Sequence, residues 1–498
     1  MSAVVTDGAT MIEVDQVRQT ANGLLHPKRK AELGQFMTPA PIAQFMASLF
    51  SERRGAVRLL DAGAGVGSLT AAFIERWGAD HIHATAYEID ATMKGYLRET
   101  LARYGHLSFE GTVIERDFIQ DAVYSIKLGK VGEGFTHAIL NPPYKKINSD
   151  STHRALLRAV GLETVNLYTA FVGLTIALMA QGGEVVAIIP RSFCNGLYYK
   201  PFREWLLARA SLEHIHLFHS RTSAFNDDAV LQENVIIKLV RGKQKGTVTI
   251  TTSSDKGFSD LQSNAYPFTQ IVHEGDPQQF IHVPTAPTHG GLNGVPLARF
   301  SLDDIGLAVS TGPVVDFRLK EFLRAEPVRG AVPLLYPTHF SGGGLEWPRA
   351  SKKPNALMDV PETRKWLYPN GHYTVVRRFS SKEERRRIVA HVVEPQAFEA
   401  SALGFENHLN VFHSQKHGID PEIAYGLSTF LNSTAVDEYF RRFSGHTQVN
   451  ATDLRLLLYP ALGELKQLGQ WAQQAERLTQ EQIDEKVEAM NGRRKQDR

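Results

Sequence analysis

The chain has 498 residues, 43% of them hydrophobic and 22% charged, enough for two or three domains with sizeable cores and too apolar for wholesale disorder. Its 55 Lys and Arg against 53 Asp and Glu leave a formal net charge of +2, so nucleic-acid contact has to come from local basic patches rather than bulk charge. The single cysteine, Cys194, excludes an internal disulfide framework and suits a reducing cytoplasm. The longest helix-like apolar run, Tyr168–Ala180, has 13 residues, short of the roughly 20 that a membrane span needs. The acidic stretch Met1–Asp15 has no secretory-signal order.

From residue 56 short apolar runs alternate with amphipathic stretches at the spacing of βαβ units. Val57–Leu60 reads as a buried strand, followed by a glycine loop and a helix over Leu69–Trp77. His83–Tyr87 is the second predicted strand, with Ala91–Tyr104 helical after it, and Ser108–Glu115 and Thr136–Leu140 follow as strands. Leu167–Met179 is a long apolar helix that the Gly182-Gly183 pair breaks ahead of a strand over Glu184–Ile189. Pro201–Ala210 reads as helical, and Leu212–Phe218, Asn234–Val240 and Thr247–Thr252 as closing strands. The expected result is an open α/β sheet with helices on both faces, binding its ligand beyond the carboxyl ends of the strands near the switch in strand order.

The rhythm stops near residue 255. Gly, Pro, Ser and Thr crowd Ser253–Gly294, which reads as a linker. Residues 295–460 hold short β-like runs, turns and aromatics, the pattern of a second, mixed, β-rich domain. From Gly463 onward the chain is polar and helix-favouring, ending in Arg493, Arg494, Lys495 and Arg498, and reads as a solvated helical tail over 461–498. No internal repeat stands out.

Two constellations carry chemistry. Asp61-Ala-Gly63-Ala-Gly65-Val-Gly67 lies between a predicted strand and a helix, where glycines let backbone amides approach a ligand at a helix N-terminus. Glu88 ends the next strand 21 residues after Gly67, placed to accept both hydroxyls of a ribose. Glycines at alternate positions, unlike the spaced dinucleotide fingerprint, favour S-adenosylmethionine over a dinucleotide; a plain strand-to-helix turn is the alternative. Asn141-Pro142-Pro143-Tyr144 follows the buried run Ala138–Leu140 at the carboxyl edge of the same sheet. The prolines stiffen this segment and leave carbonyl oxygens as acceptors. The Asn141 side-chain oxygen and the Pro142 carbonyl can both accept from a planar exocyclic amine, pulling its nitrogen toward tetrahedral geometry. Tyr144 offers a face on which a flipped base can stack.

With these residues in place the chain resembles the gamma-class, Taq-type adenine-N6 DNA methyltransferases of restriction–modification systems, which use S-adenosylmethionine. Gly34-Gln35-Phe36-Met37-Thr38-Pro39 matches that family's N-terminal cofactor motif. Asp61, Gly63, Gly65 and Gly67 match its glycine loop, Glu88 with Ile89 its ribose acid, Asp117-Phe118 the pair that meets the cofactor adenine, and Asn141–Tyr144 its catalytic motif. Phe225, in Ser223-Ala224-Phe225, sits where the family places an aromatic on the opposite face of the flipped base. Thr311-Gly312-Pro313 and His446-Thr-Gln448-Val-Asn450-Ala-Thr-Asp453-Leu454 resemble the opening and close of its recognition domain. The resemblance implies a Rossmann-like methyltransferase domain over 1–255 with a C-terminal mixed, β-rich target-recognition domain over 295–460. It also implies a cytoplasmic enzyme acting on double-stranded DNA, with a cognate restriction endonuclease acting separately on the same site.

Lys145 and Lys146, directly after the catalytic motif, and the stretch holding Arg377, Arg378, Lys382, Arg385, Arg386 and Arg387 are candidates for phosphate contact, partly offset by Glu383 and Glu384. Cys194 follows Phe193 rather than the proline of a cytosine-attacking nucleophile. His214, His216 and His219 alternate along a strand without a nearby cysteine, so no metal site is expected. Acceptors other than DNA adenine remain as alternatives. An RNA adenine or a protein glutamine presents the same planar amine, cytosine-N4 transfer more often opens its loop with serine, and a non-catalytic DNA-binding module would not need the intact loop.

Overall fold

The structure, a computed structural model, describes residues 9–24, 37–52, 55–77, 81–105, 107–218, 233–254, 257–284, 297–341, 344–380, 384–443, 448–475 and 477–496. Gly34, Gln35, Phe36, His219, Ser223, Ala224, Phe225, Lys382, Glu383, His446 and Arg498 lie outside the described residues. The chain divides into two compact units, Met1–Pro287 and Thr288–Arg498.

The first unit is built on a nine-stranded sheet. Its strands are β1 (Val57–Ala62), β2 (Ile82–Tyr87), β3 (Phe109–Ile114), β4 (Phe135–Leu140), β5 (Met179–Pro190), β6 (Ala210–Phe218), β7 (Asn234–Arg241), β8 (Thr247–Ser253) and β9 (Gln262–Pro267), in the spatial order β3-β2-β1-β4-β5-β7-β6-β8-β9. From β3 to β5 all neighbours are parallel; β7 runs antiparallel between β5 and β6. The chain winds outward from β1 in one direction through β2 and β3, then returns to the other side of β1 as β4. The switch in strand order therefore lies between β1 and β4, where such sheets open a crevice at their carboxyl ends.

Alternation along the strands supplies two buried faces. Leu60, Ala62, Ala138 and Leu140 join one core with α5 (Phe118–Lys127), α6 (Thr152–Arg158), α7 (Leu167–Leu178) and α8 (Lys200–Arg209). Val57, Leu59 and Ile139 join the other with α1 (Ala9–Leu24), α2 (Ala40–Ser48) and α3 (Ser68–Trp77). The helix α4 (Ala91–Ala102), capped by Asp90, covers the β2–β3 side through Leu97 and Leu101. The expected α/β sheet with helices on both faces is the sheet observed.

Three sequence expectations change. The Gly182-Gly183 pair does not break α7, which has already ended at Leu178. The pair lies inside β5, where Gly182 takes φ +72° and the β4–β5 register slips between Phe135 and His137. The presumed linker starting at Ser253 carries β9, paired antiparallel with β8, and Ile271, Ile281 and Val283 enter the first core. Being an exposed edge strand held by backbone pairing, β9 has no apolar alternation to reveal it. The first unit consequently extends well beyond residue 255.

The second unit holds a four-stranded sheet (308–311, 409–413, 373–377, 390–393) and a five-stranded sheet (323–324, 356–358, 331–335, 402–405, 367–369), followed in the chain by helices from Pro421 onward. The presumed solvated tail is part of this packing. Leu465, Leu468 and Val487 are buried in its core, and the helices Pro421–Leu431 and Leu462–Gln473 approach so closely that a Cβ on Gly469 would stand 1.8 Å from the Glu422 carbonyl oxygen. The apolar spacing in that polar stretch is sparse, and small residues at the crossing do the rest. Among the described residues no helix is long and apolar enough to cross a membrane.

Candidate cofactor and catalytic site

Beyond the carboxyl ends of β1 to β4 lies a cavity of about 440 Å³, a size typical of small-molecule sites. Its wall includes Thr38, Gly63, Gly65, Glu88, Ile89, Asp117, Phe118, Asn141 and Pro143. Five separate motifs, four at the ends of different strands and one at the start of α2, thus meet in one place.

The loop after β1 reaches the cavity because its glycines adopt backbone conformations closed to most side chains. Gly65 has φ +57° with open space where a Cβ would stand, and its N–H donates to Glu88 Oε2 at 2.8 Å. Gly67, at φ +87°, serves packing instead: a Cβ there would meet Leu97 Cδ1 at 2.9 Å. Asp61 and Gly67 do not reach the cavity wall. Asp61 is fully buried below the loop, where its Oδ2 accepts from Thr70 Oγ1 at 2.7 Å and its Oδ1 has no hydrogen-bond partner. Burial, reinforced by the nearby Glu88 charge against the Thr70 bond, pushes the Asp61 carboxyl up to about 7.

Glu88 is 5% exposed and also accepts from the Asp90 N–H, at 2.7 Å through Oε1, while burial raises its pKa. The adjacent Ile89 is an apolar side chain 60% exposed on the cavity wall, a surface that a ligand would cover. On the same cavity wall Phe118 is buried, edge-on to Tyr87 at 5.1 Å and beside Phe171 at 5.0 Å. Asp117 caps α5, its Oδ1 accepting from the Gln120 N–H at 3.0 Å, and its Oδ2 meets His153 Nε2 at 2.9 Å. Burial would raise the Asp117 pKa, but these bonds outweigh it and hold the carboxyl below its ordinary value. The same bond raises His153.

The catalytic-motif residues divide between two environments. Asn141 stands on the cavity wall, its Nδ2 donating to Thr38 Oγ1 at 3.0 Å. Thr38 is held there because Pro39 begins α2 as its N-cap, which keeps Pro39 itself off the wall. Pro142 is buried, and Tyr144, half-buried, points its hydroxyl away to the Ile188 carbonyl of β5 at 3.1 Å, with its ring edge-on to Tyr168. Burial keeps the Tyr144 phenol protonated far above the usual range. Asn141 therefore belongs to the cavity, and Tyr144 stands beside it on the β5 side.

The basic candidates separate likewise. Lys145 and Lys146 are exposed and line the cavity rim, as does Arg116, paired with Asp121 at 2.7 Å. In the second unit the charge run is not one solvated face. Arg377 pairs with Glu384, Arg378 donates to the Asn407 carbonyl at 3.2 Å, and Arg387 is buried, its N–H donating to Asp437. His214 and His216 both meet Thr251 Oγ1, at 2.7 and 2.9 Å. Cys194 is buried, which raises its thiol to about 12. Among the described residues no group of three or more His, Cys, Asp or Glu is placed to hold a metal. Sequence reasoning missed Arg116, His153 and Phe171 on the cavity wall; their only signal was position, just before Asp117 or on the helices packed behind the catalytic loop.

A glycine loop and an Asn-Pro-Pro-Tyr turn on either side of the β1–β4 switch define the class: a Rossmann-like methyltransferase unit followed by a sheet-rich second unit. Comparison with known proteins agrees. The model of the Eco57I restriction-modification methylase family matches residues 97–225. The chain is 52% identical to the type II methyltransferase M.BsuBI of Bacillus subtilis over 488 residues, covering 96% of this chain and 97% of that one. It is 42% identical to the type II methyltransferase M.PstI of Providencia stuartii over 486 residues, covering 93% and 95%. It belongs to the type II DNA methyltransferases of restriction–modification systems. Its fold is similar to that of DrdV, solved as a DNA complex, at a TM-score of 0.52 and 12% identity over 95% of this chain and 60% of that one.

Proposed function

We propose that this methyltransferase transfers the methyl group of S-adenosylmethionine to the N6 amine of an adenine flipped out of duplex DNA, marking the site that a separate cognate endonuclease would cut. One observation carries the reading. Asn141, the first residue of the Asn-Pro-Pro-Tyr turn, stands on the same cavity wall as Gly63, Gly65, Glu88 and Asp117, with its amide fixed by the hydrogen bond from Nδ2 to Thr38 Oγ1 at 3.0 Å.

The residues around the cavity fit the cofactor. Glu88 keeps acceptor capacity on both oxygens for a ribose, Ile89 and Phe118 supply apolar surface for an adenine, and Gly65 leaves open space for close backbone approach. When bound there, S-adenosylmethionine supplies a methyl group on a positively charged sulfur. The protein does the rest by positioning. Asn141 Oδ1 and the Pro142 carbonyl accept from the exocyclic amine, withdraw its lone pair from ring conjugation and aim it. The Tyr144 ring, braced through its hydroxyl at Ile188, supports one face of the base; Phe225, outside the described residues, is proposed for the other. Lys145, Lys146 and Arg378 are proposed phosphate contacts. Arg377 would have to exchange Glu384 for a phosphate to serve as one.

Long-read sequencing of DNA from a methylation-deficient host expressing the chain tests the reading. N6-methyladenine at one short recurring motif is expected, and Asn141→Ala should remove it while cofactor binding persists. Methylcytosine instead, or unmodified DNA beside RNA or protein methylated by the purified enzyme, would sink the adenine assignment.

A further inference from the structure

The glycine loop, Glu88 and the catalytic motif account for most of the cavity, but not for a histidine on its wall. His153 lies in the first turn of α6, whose N-cap is Ser151. The segment carrying it is clamped behind the catalytic motif: the Ile147 N–H donates to the Val165 carbonyl at 2.8 Å and the Leu167 N–H to the Lys145 carbonyl at 2.8 Å. This return brings a residue 36 positions downstream of Asp117 to within 2.9 Å of its Oδ2.

We infer that His153 is a positioning residue for cofactor recognition, locking the Asp117 carboxylate in the orientation that accepts the amino group of the cofactor's adenine. The inference rests on S-adenosylmethionine occupying this cavity. An ionised carboxylate only accepts hydrogen bonds, so His153 Nε2 must be the donor in either protonation state of the ring. Asp117 is then gripped at both ends, Oδ1 by the first turn of α5 and Oδ2 by the imidazole, and its remaining lone pairs keep a fixed direction. Adding a proton to the ring strengthens the grip by making the bond charge-assisted.

The charged groups sharing this corner are Arg116 and Asp117 from the β3–α5 turn, Asp121 from α5, Lys145 and Lys146 from the catalytic loop, and Asp150, Arg154 and Arg158 from the segment of His153 itself. Arg116 is paired with Asp121, and Arg154 and Arg158 with Glu163, so Asp117 is the carboxylate that the imidazole meets directly. The pairing raises His153 above its ordinary 6.5. Cofactor affinity should therefore be greatest at acidic pH and decline as pH rises through the neutral-to-alkaline range.

The test is calorimetric titration of the full-length protein with S-adenosylmethionine from pH 6 to 9, alongside steady-state methylation at each pH. Wild type is expected to lose affinity as pH rises. His153→Ala should weaken binding about tenfold at pH 6 and show a flat profile, raising KM for the cofactor with kcat at saturation little changed. His153→Gln, a neutral donor of similar reach, should recover part of the affinity but not the slope. Wild-type affinity and slope in His153→Ala would overturn the inference while leaving the cofactor reading intact. Failure of the wild type to bind S-adenosylmethionine at any pH would overturn both.

Discussion

Asp61 plays no visible part in holding a ligand, yet it is a fully buried carboxyl directly below the glycine loop. One of its oxygens is bonded to Thr70, the other is buried without a partner, and its carboxyl is pushed up to about 7. Because the folded-state pKa lies above the ordinary 3.8, the folded protein retains a proton that the unfolded chain has released between those values. Stability from this group is therefore full below about pH 4 and is lost as pH rises to about 7. Thermal melts across that range should show Asp61→Asn flattening the decline, with the variant gaining most on wild type at pH 7 and above. An unchanged profile would mean that the carboxyl is not held as described. At this scale the sequence announced Asp61 as part of a loop but could not separate a residue that supports the loop from one that lines the cavity. Nor could it announce the Asp117–His153 pair, which depends on how the segment after Tyr144 folds back.

The glycine loop makes the same distinction as an element. Gly65 and Gly67 are two residues apart and both have positive φ, but one opens onto the cavity and the other onto Leu97 and Thr100 of α4. Gly65→Ala places a methyl in open space at a backbone strain of about 1–2 kcal/mol, so it should lower the melting temperature modestly and raise KM for the cofactor. Gly67→Ala carries a comparable positive-φ strain and adds an overlap with a packed leucine worth about 1–3 kcal/mol more, so it should lower the melting temperature further, with KM for the cofactor less affected. Differential scanning fluorimetry with and without S-adenosylmethionine separates the two, and equal losses in both would remove the division of labour. The strand-loop-helix units from β1 to β5 were legible because buried parallel strands write apolar runs and tight turns write glycines. What stayed hidden had no such signature: β9 joins by backbone pairing alone, and Gly182-Gly183 is a bulge where a pair of glycines ordinarily reads as a stop.

On the scale of the whole molecule, the C-terminal residues are structural members of the second unit. Gly469→Ala forces the helices Pro421–Leu431 and Leu462–Gln473 apart, since the added carbon would sit 1.8 Å from the Glu422 carbonyl oxygen. Overpacking of this kind costs about 1–3 kcal/mol. Limited proteolysis should then cut the second unit early while cofactor binding by the first unit persists. Equal resistance to protease in variant and wild type would mean that the helix crossing adapts. The polar composition of this stretch hid its role because close packing at glycine needs few large apolar side chains. The cavity has a complementary property: among the described residues, every one on its wall falls between Met37 and Phe171, all within the first unit. A drug-like molecule shaped to fill it would meet the same wall in any relative that keeps those positions, whatever base sequence the relative reads. Selective inhibitors of individual modification enzymes have to find their discrimination outside residues 37–171.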